Sequence, residues 1–470
     1  MRGVALTAAQ VRAIDRYVRA EMAREKIPGV QVGIYSEGRI LLARGYGLAN
    51  VETNVPIQPY SMMKAGSVGK QFTAAAIMML VEQGKVRLSD SVLDYFPELP
   101  AAWKPITIAN LLSHTSGIFD YFRRSNYRHM SSIASDDLFD LRTDMSEAAL
   151  LAKVAQLPLE FPVGTRWAYS NTNYLLLGIL IHRLSGQSRI DYTRQHIFTP
   201  AGMATARGLS NSDIIPNRAS GYMLMGGVLK NKTPVSETFN ATADGGLYLN
   251  VLDLAHWDAA LSKPGLLTKA SMDAMWTPFR QADGKPNQAN YGFGWFISSE
   301  NGHREIVHGG DVSGFDCVIQ RYPDDKITVV VMTNLDGTHA HSDMIAHVVA
   351  GFARPALMPL PVGPIPDSKP DIAKLAWSTL ERLARNEDLS DIFAPEAGYV
   401  FDPADGADTL AQLPTGWRSA KLKLIHRSPD GLTSDYRLAT PNDSRVVTVQ
   451  TSAAGKLTGL FIYADRDRHR

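Results

Sequence analysis

The chain has 470 residues, of which 45% are hydrophobic and 20% are charged, a composition typical of a globular protein. This length exceeds the roughly 250–300 residues at which single hydrophobic cores stop growing, so we expect one large domain and a smaller one. The 48 Lys and Arg residues balance the 47 Asp and Glu residues without a basic stripe, which argues against nucleic acid as a partner.

The N-terminal segment predicts a helix followed by a hairpin. Residues 10–25 have a helical pattern, and residues 28–50 then form two strand-like runs on either side of Glu37-Gly38. Two apolar, β-branched runs separated by a short turn are a hairpin signal. The chain therefore begins with a helix and two antiparallel strands.

Ser67 stands three positions before Lys70, at the start of an alanine-rich run that predicts a helix. A phosphate-binding loop would require a glycine at position 64 and a hydroxyl residue at 71, but these positions hold Lys64 and Gln71. Residues three apart on a helix lie on one face, so the Lys70 amine can meet the Ser67 hydroxyl. The motif fits a nucleophile beside a base, and it fits a helix cap with a solvated lysine as well.

Two more motifs follow along the chain. Tyr169-x-Asn171 stands just before an apolar run that predicts a helix, and these polar residues alone would also fit helix capping. His308-Gly309-Gly310 is predicted to precede a strand, where adjacent glycines would let a substrate lie close to the strand edge. By itself this second motif also fits a glycine-rich turn.

A second hairpin is predicted around Pro323, between two β-branched runs. Strands thus occur at both ends of the first 350 residues, with mostly helical sequence between them. This order predicts an α/β domain in which both ends share one antiparallel sheet and the middle packs against it as helices. Cys317 lies in the first run of this hairpin and is the only cysteine, so it excludes an intrachain disulfide and is interpreted as a small buried residue.

The last quarter of the chain predicts a separate domain. Six prolines fall within residues 354–370, and proline removes backbone donors and stiffens an extended chain, so this segment is predicted to be a linker. A helical pattern and four strand-like runs follow. The sequence therefore predicts a domain over residues 1–353, the linker, and a small α+β domain over residues 371–470.

Together, Ser-x-x-Lys, Tyr-x-Asn and a basic residue-x-Gly, in this order and spacing, resemble the serine β-lactamase and penicillin-binding-protein superfamily. The likeness is greatest to the branch with class C β-lactamases, D-alanyl-D-alanine carboxypeptidases, D-aminopeptidases and β-lactamase-like esterases. The segments LLSHTSGI, ADGGLYLN and YGFGWFI also resemble that branch, the last as a late strand. The resemblance implies a β-lactamase/transpeptidase-like fold, an antiparallel sheet flanked by helices with a helical subdomain.

The resemblance also implies the catalytic residues. Ser67 would be the nucleophile, Lys70 would help to activate it, and Tyr169 would act as general base and acid. A phenol that titrates near 10 is a poor base at neutral pH, so we expect the Lys70 ammonium to lower the pKa of Tyr169. The oxyanion hole would consist of the backbone N–H groups of Ser67 and Asp311.

Substrate-binding roles follow in the same way for Asn171, His308, Gly309 and Gly310. Most β-lactamases have a lysine where this chain has His308, and an imidazole that titrates near 6.5 attracts a carboxylate less well above neutrality. The acidic Asp311 could repel an anionic substrate. The sequence therefore favours neutral or amine-bearing esters and amides over β-lactams.

The expected activity is hydrolysis of an ester or amide bond through an acyl-Ser67 intermediate. The enzyme would be a β-lactamase-like esterase or a peptidase or amidase of the D-amino-acid type. Two alternatives stay open: a penicillin-binding or sensor protein that turns over slowly, and a true β-lactamase. The expected partner is a small-molecule ester, amide or short peptide.

The sequence indicates no cofactor and no metal. His339, His341 and Asp343 have the spacing of part of a metallo-hydrolase ligand motif, but the sixth position is Met344 instead of a histidine, and a partial motif is weak. His114 in LLSHTSG is interpreted as a histidine that fixes a loop by hydrogen bonding.

The location of the protein is left open. The first ten residues lack the apolar core of a signal peptide, and no run reaches the roughly 18 apolar residues that span a bilayer, so no transmembrane segment is predicted. The resemblance implies a periplasmic or secreted protein if a leader has been removed, and a cytoplasmic one otherwise. The oligomeric state is not indicated.

Overall fold

The structure is a computed structural model that describes residues 5–122, 142–232, 235–394, 409–465 and 467. The described residues form two compact units. The first contains those of residues 1–122, 139–223 and 231–358, and the second contains residues 224–230 and those from Pro359 onwards. Among the helices described, none is long and apolar enough to cross a membrane.

The strands up to residue 333 form a central sheet and two small ones. In chain order they are β1 (Gly29–Ser36), β2 (Arg39–Asn50), β3 (Val55–Pro56), β4 (Met63–Lys64), β5 (Arg207–Gly208), β6 (Tyr222–Met225), β7 (Val228–Asn231), β8 (Leu247–Leu249), β9 (Phe296–Glu300), β10 (His303–Val312), β11 (Phe315–Tyr322) and β12 (Ile327–Thr333). The central sheet has the order β3-β2-β1-β12-β11-β10-β9. Because β1 pairs antiparallel with β12, the two ends of this region share one sheet, and the predicted fold class is confirmed.

The N-terminal predictions agree closely with the structure. The predicted turn at Glu37-Gly38 joins β1 to β2, and both residues have positive φ, 50° and 75°, as a two-residue hairpin turn requires. The first helix begins at Ala8, two residues before the predicted start, because Thr7 and Gln10 form a capping box that stabilises the earlier turn.

Helices cover the sheet and fill the middle of the chain. They are α1 (Ala8–Glu25), α2 (Lys70–Glu82), α3 (Val92–Tyr95), α4 (Ile108–Leu112), α5 (Glu147–Val154), α6 (Asn171–Ser185), α7 (Arg189–Thr193), α8 (Thr199–Ala201), α9 (Glu237–Ala241), α10 (Val251–Leu261), α11 (Lys269–Met275), α12 (Gly337–Ala340) and α13 (Ser342–Ala353). The first eleven residues of α2 are all buried. Its small alanines suit an apolar helix at the centre of a core.

Two strand predictions need correction. The segment His308–Gly310 was expected to precede a strand, but it lies within β10, where Gly309 pairs with Val318 and Gly310 with Cys317. The late strand expected over residues 291–297 begins only at Phe296. Its first half is interrupted at Gly294, whose φ of 78° is not a strand conformation.

The second unit has its own sheet and core. It contains α14 (Pro370–Ala384), β13 (Leu422–Arg427), β14 (Thr433–Ala439), β15 (Ser444–Thr451) and β16 (Leu457–Ala464). The four strands pair in chain order and antiparallel, and Leu380 of α14 is buried with Tyr436 and Val447 of the sheet. This is the small C-terminal α+β domain that the sequence predicted. The boundaries at residues 353 and 371 stay predictions.

Candidate active site

Ser67 lies in a short 3₁₀ turn between β4 and α2, against the backbone of β10. Two glycines permit this approach. A Cβ on Gly66 would lie 2.9 Å from the Gly310 carbonyl carbon and 3.1 Å from the Asp311 nitrogen, and a Cβ on Gly310 would lie 2.8 Å from the Ser67 nitrogen. Distances below 3.0 Å are closer than real Cβ contacts. The packing therefore brings the backbones of Ser67 and Asp311 together, as an oxyanion hole made from both would require.

Lys70 is the first residue of α2, and its ammonium is fully buried. Nζ lies 3.1 Å from Ser67 Oγ, 2.7 Å from Asn171 Oδ1 and 2.8 Å from the Asp244 carbonyl oxygen. An amide oxygen and a backbone carbonyl can only accept hydrogen bonds, whereas a hydroxyl can also donate. A neutral Lys70 amine therefore gives its two N–H groups to Asn171 and Asp244 and turns its lone pair toward the Ser67 hydroxyl.

The protonation of Lys70 suits this arrangement. Burial lowers the pKa of Lys70 to about 8, and the charges of Asp244 and Asp120 oppose that shift. With such a pKa, on the order of a tenth of the molecules carry the neutral amine at pH 7. A base is therefore available near neutral pH.

The Ser67 side chain acts to lower the pKa of the Tyr169 hydroxyl, and the Tyr169 ring centroid lies 4.8 Å from Lys70 Nζ. The expected lowering of its pKa is wrong. Desolvation by the surrounding side chains raises the pKa of Tyr169 well above 10, and the charge of Asp244 raises it further. Tyr169 thus keeps its proton at neutral pH, so it can serve as a proton donor but not as a ready base.

Asn171 begins α6 and contacts Lys70 directly. It is held there by Asp120, a residue that the sequence analysis did not identify. Asp120 accepts hydrogen bonds from the Asn171 backbone N–H at 2.9 Å and from Nδ2 at 3.4 Å. A second missed residue, Asp244, contributes its carbonyl to Lys70 while its carboxylate accepts from Tyr121 at 3.0 Å. Asp120 lies two residues after the segment LLSHTSGI and Asp244 lies within ADGGLYLN, so the family resemblance of these segments was the available signal.

His308 faces the interior and is only 2% exposed. Its Nε2 lies 2.9 Å from the Tyr291 hydroxyl and its Nδ1 lies 2.6 Å from the Gly309 carbonyl oxygen. Burial lowers the pKa of His308 to about 3, and the Lys70 charge adds to the effect. The expectation of a titration near 6.5 is therefore wrong: the imidazole is neutral, with Nδ1–H donating to Gly309 and Nε2 accepting from Tyr291.

His114 packs against the segment that carries Tyr169. Its Nδ1 accepts from the Ser170 backbone N–H at 3.2 Å, and its ring lies 4.3 Å from that of Tyr169 and 4.8 Å from that of Tyr291. Burial lowers the pKa of His114 well below its usual value. This histidine is a neutral support for the loop that carries Tyr169.

Cys317 and the partial metal motif at His339 were the other candidates for reactive chemistry. Cys317 is fully buried and burial raises the pKa of its thiol, so it is not a thiolate nucleophile. In the described part of the chain, no three His, Cys, Asp or Glu side chains lie close enough together to hold a metal ion. This includes His339, which is 6% exposed.

Comparisons with known proteins agree with the fold. A family model described as Beta-lactamase matches residues 14–353. Penicillin-binding protein 4* of Bacillus subtilis (strain 168) is 30% identical over 313 residues, 63% of this chain and 66% of that protein, so the chain covers slightly less than two thirds of this relative.

Two solved structures share the architecture. The octameric penicillin-binding protein homologue from Pyrococcus abyssi has a TM-score of 0.62 and 22% identity, over 97% of this chain and 98% of that one. A D-stereospecific amidohydrolase from Streptomyces sp. has a TM-score of 0.60 and 21% identity, over 72% and 97%. These likenesses show the fold.

The sheet, its covering helices and the family match define the class of protein, that of proteins with a β-lactamase-like fold. The chain belongs to the beta-lactamase family, whose model matches most of its length. The predicted superfamily is therefore confirmed, and penicillin-binding proteins and a D-stereospecific amidohydrolase are among its neighbours.

Proposed function

We propose that this protein hydrolyses ester or amide bonds of small neutral or amine-bearing substrates through an acyl-Ser67 intermediate. One observation carries the proposal. Of the three groups that are hydrogen-bonded to Lys70 Nζ, only the Ser67 hydroxyl can reverse its hydrogen bond and donate. The site is thus built so that the lysine amine removes the proton of this one serine.

Acylation then follows in balanced steps. The Ser67 Oγ forms a bond to the substrate carbonyl carbon while the Lys70 amine takes up the hydroxyl proton. The carbonyl oxygen becomes an oxyanion, to which the backbone N–H groups of Ser67 and Asp311 donate. When this intermediate collapses, the bond to the leaving oxygen or nitrogen breaks and Tyr169 supplies its proton, which the proton held by Lys70 replaces.

Water completes the cycle. Its oxygen bonds to the acyl carbon while its proton passes to Tyr169, which gives its own proton to the Lys70 amine. The bond between the acyl carbon and Ser67 Oγ then breaks, Lys70 returns the proton to Oγ, and the acid is released. The high pKa of Tyr169 suits a donor to a poor leaving group. Tyr169 therefore acts chiefly as the general acid, and Lys70 supplies the base.

The charges around the site support the proposed substrate class. His308 is neutral, so it brings no cation to the place where most β-lactamases have a lysine. The Asp311 carboxylate accepts from the Gly337 backbone N–H at 3.1 Å at the end of β10, and its charge helps to raise the pKa of Asp316 to about 7, chiefly an effect of burial. Such an acidic strand end disfavours a substrate carboxylate.

A substrate panel tests the proposal. It compares a short-chain p-nitrophenyl ester, a D-amino-acid amide, a D-Ala-D-Ala peptide and a chromogenic cephalosporin, with Ser67→Ala as the control. We expect repeated turnover of the ester or the amide by the wild type and none by the variant. Release of a single equivalent of product would indicate a sensor, and cephalosporin hydrolysis as fast as the best ester would indicate a β-lactamase.

A further inference from the structure

We infer that Asp120 is a positioning residue for the Ser67–Lys70 pair, acting through the side-chain amide of Asn171. The inference rests on the proposed function, because it concerns how the lysine is held for its task. Asp120 itself does not touch Ser67; its effect would pass to Lys70 through one amide group and through its charge.

Asp120 is 7% exposed, and its carboxylate collects donors from the start of α6. Oδ1 accepts from the backbone N–H of Asn171 at 2.9 Å and from that of Phe122 at 3.2 Å. Oδ2 accepts from Asn171 Nδ2 at 3.4 Å. Ser170, at the N-cap of α6, makes no capping hydrogen bond through its side chain, so the carboxylate from another segment occupies the place of a cap.

This carboxylate fixes which way the Asn171 amide points. A carboxylate accepts only, so it must face the NH₂ end of the amide and not the oxygen. The oxygen is thereby turned toward Lys70 Nζ, 2.7 Å away. If the amide were reversed, an NH₂ group would face an ammonium, and Lys70 would lose one of the two acceptors that aim its lone pair at Ser67.

The charge of Asp120 is a second contribution. The groups that face Lys70 are the carboxylates of Asp120 and Asp244, the neutral imidazoles of His114 and His308, and the rings of Tyr169 and Tyr174 at 4.8 and 5.4 Å. Only the two carboxylates oppose the lowering of the pKa of Lys70 by burial. Removing one of them leaves the ammonium less stable.

Asp120→Asn tests both contributions. The oxygen of the new Asn side chain can accept from the backbone N–H of Asn171 only if its NH₂ group faces Asn171 Nδ2. Two NH₂ groups would then face each other, and this favours reversal of the Asn171 amide. We expect kcat/KM for an activated ester to fall roughly 10- to 100-fold, because misplacement of a catalytic group by about 1 Å is costly. The acid limb of the kcat/KM profile should move to lower pH, because the pKa of Lys70 falls when a nearby negative charge is lost.

Asp253→Asn is the matched control. Asp253 is 3% exposed and also accepts from a backbone N–H, that of Thr205 at 3.2 Å, but it is not among the charges that act on Lys70. We expect this variant to keep kcat/KM within about threefold and to keep the acid limb in place, since a purely structural change leaves the chemistry of folded molecules intact. Asp120→Ser, whose hydroxyl can still accept from the helix, replaces Asp120→Asn if that variant does not fold.

A double variant separates the two contributions. In an Asn171→Ala background, Asp120→Asn should add little further loss of rate, because the amide that it positions is gone, while the shift of the acid limb should persist. Labelling of wild-type Ser67 by a fluorophosphonate tests the proposed function separately. If the wild type is labelled and Asp120→Asn keeps its rate and acid limb, or merely matches Asp253→Asn, the positioning role is wrong; an unlabelled wild type would refute the proposed function instead.

Discussion

Lys64 and Lys70 stand on either side of the Ser67 turn, and burial lowers the pKa of both to about 8. Lys64, on β4, is 8% exposed, and its Nζ donates to Asn240 Oδ1 at 3.1 Å. Lys70, on α2, donates to two acceptor-only oxygens and to a hydroxyl. The two lysines therefore share a pKa but differ in what faces the nitrogen.

The difference shows that a lowered pKa does not by itself make a lysine a base. A neutral amine also needs a proton donor opposite its lone pair. The amide oxygen that Lys64 contacts cannot supply a proton, whereas the Ser67 hydroxyl can supply one to Lys70. Lys64 is thus a natural internal control for every test of Lys70.

The largest expected effect separates the two lysines directly. Lys70→Met should lower kcat/KM for a p-nitrophenyl ester by roughly 1,000-fold, within the range that positioned proton transfer contributes. Lys64→Met should lower it by less than about fivefold, since it removes a buried polar contact and no reacting group. Steady-state kinetics on variants of equal Tm measure both. Equal losses in the two variants would show that burial, and not the contact with Ser67, is what matters.

Tyr169→Phe is expected to have the next largest effect on the rate. We expect a loss of roughly 100-fold for an amide or alkyl ester, because these leaving groups need a proton. The loss should be much smaller for a p-nitrophenyl ester, whose leaving group departs as a stable anion. Comparing the two substrates in one variant measures the proton donation itself. A loss that is equally large for both would assign Tyr169 to the attack of Ser67, as its predicted role of general base requires.

The pH profile sharpens the comparison between the lysines. The reactive form of Lys70 is the neutral amine, so kcat/KM should rise with pH up to a limb near the pKa of about 8 and fall about tenfold per unit below it. Lys64→Met should leave this limb in place although the pKa of Lys64 is also about 8. A limb that disappears with Lys64 would reverse the assignment.

His308→Gln is expected to have a small effect on the same profile. The pKa of His308 is about 3, so the histidine is neutral throughout the working range and its replacement by another neutral group should not move the limb. The rate should fall modestly, since the variant disturbs the contact with Tyr291. A limb that shifts upward in this variant would show that the imidazole is charged in the working enzyme.

Chelation is expected to leave the activity unchanged. The proposed proton transfers use only side chains and backbone groups of this chain, so dialysis against EDTA should leave kcat/KM unchanged for the wild type and for Lys64→Met. Activity that is lost in EDTA and restored by zinc would bring back the partial motif at His339 and His341.

Local patterns in the sequence predicted much of this molecule. The turn at Glu37-Gly38 needs positive φ at both residues, and the Ser67–Lys70 spacing follows from one helical turn, so each was visible within a few residues. The inclusion of His308 in β10 was missed because adjacent glycines weaken strand signals. In the structure the pairing of Gly309 and Gly310 with β11 holds this segment in the strand although its own sequence does not favour one.

The surroundings of the candidate residues could not be predicted in the same way. The pKa of Tyr169 and that of His308 depend on burial among side chains from distant parts of the chain, and no spacing in the sequence reports that burial. Asp120 reaches Asn171 across 51 positions. Its importance depends on the direction of one amide group, which only three-dimensional contacts define.

The most direct test of the central claim is the intact mass of the protein during turnover. Wild-type protein mixed with a short-chain p-nitrophenyl ester and quenched in acid should carry one acyl group, which peptide mapping should place on Ser67. Lys64→Met should carry the same group, Lys70→Met should acquire it far more slowly, and Ser67→Ala should not carry it. An acyl group on another residue, or one that persists in Ser67→Ala, would contradict the account.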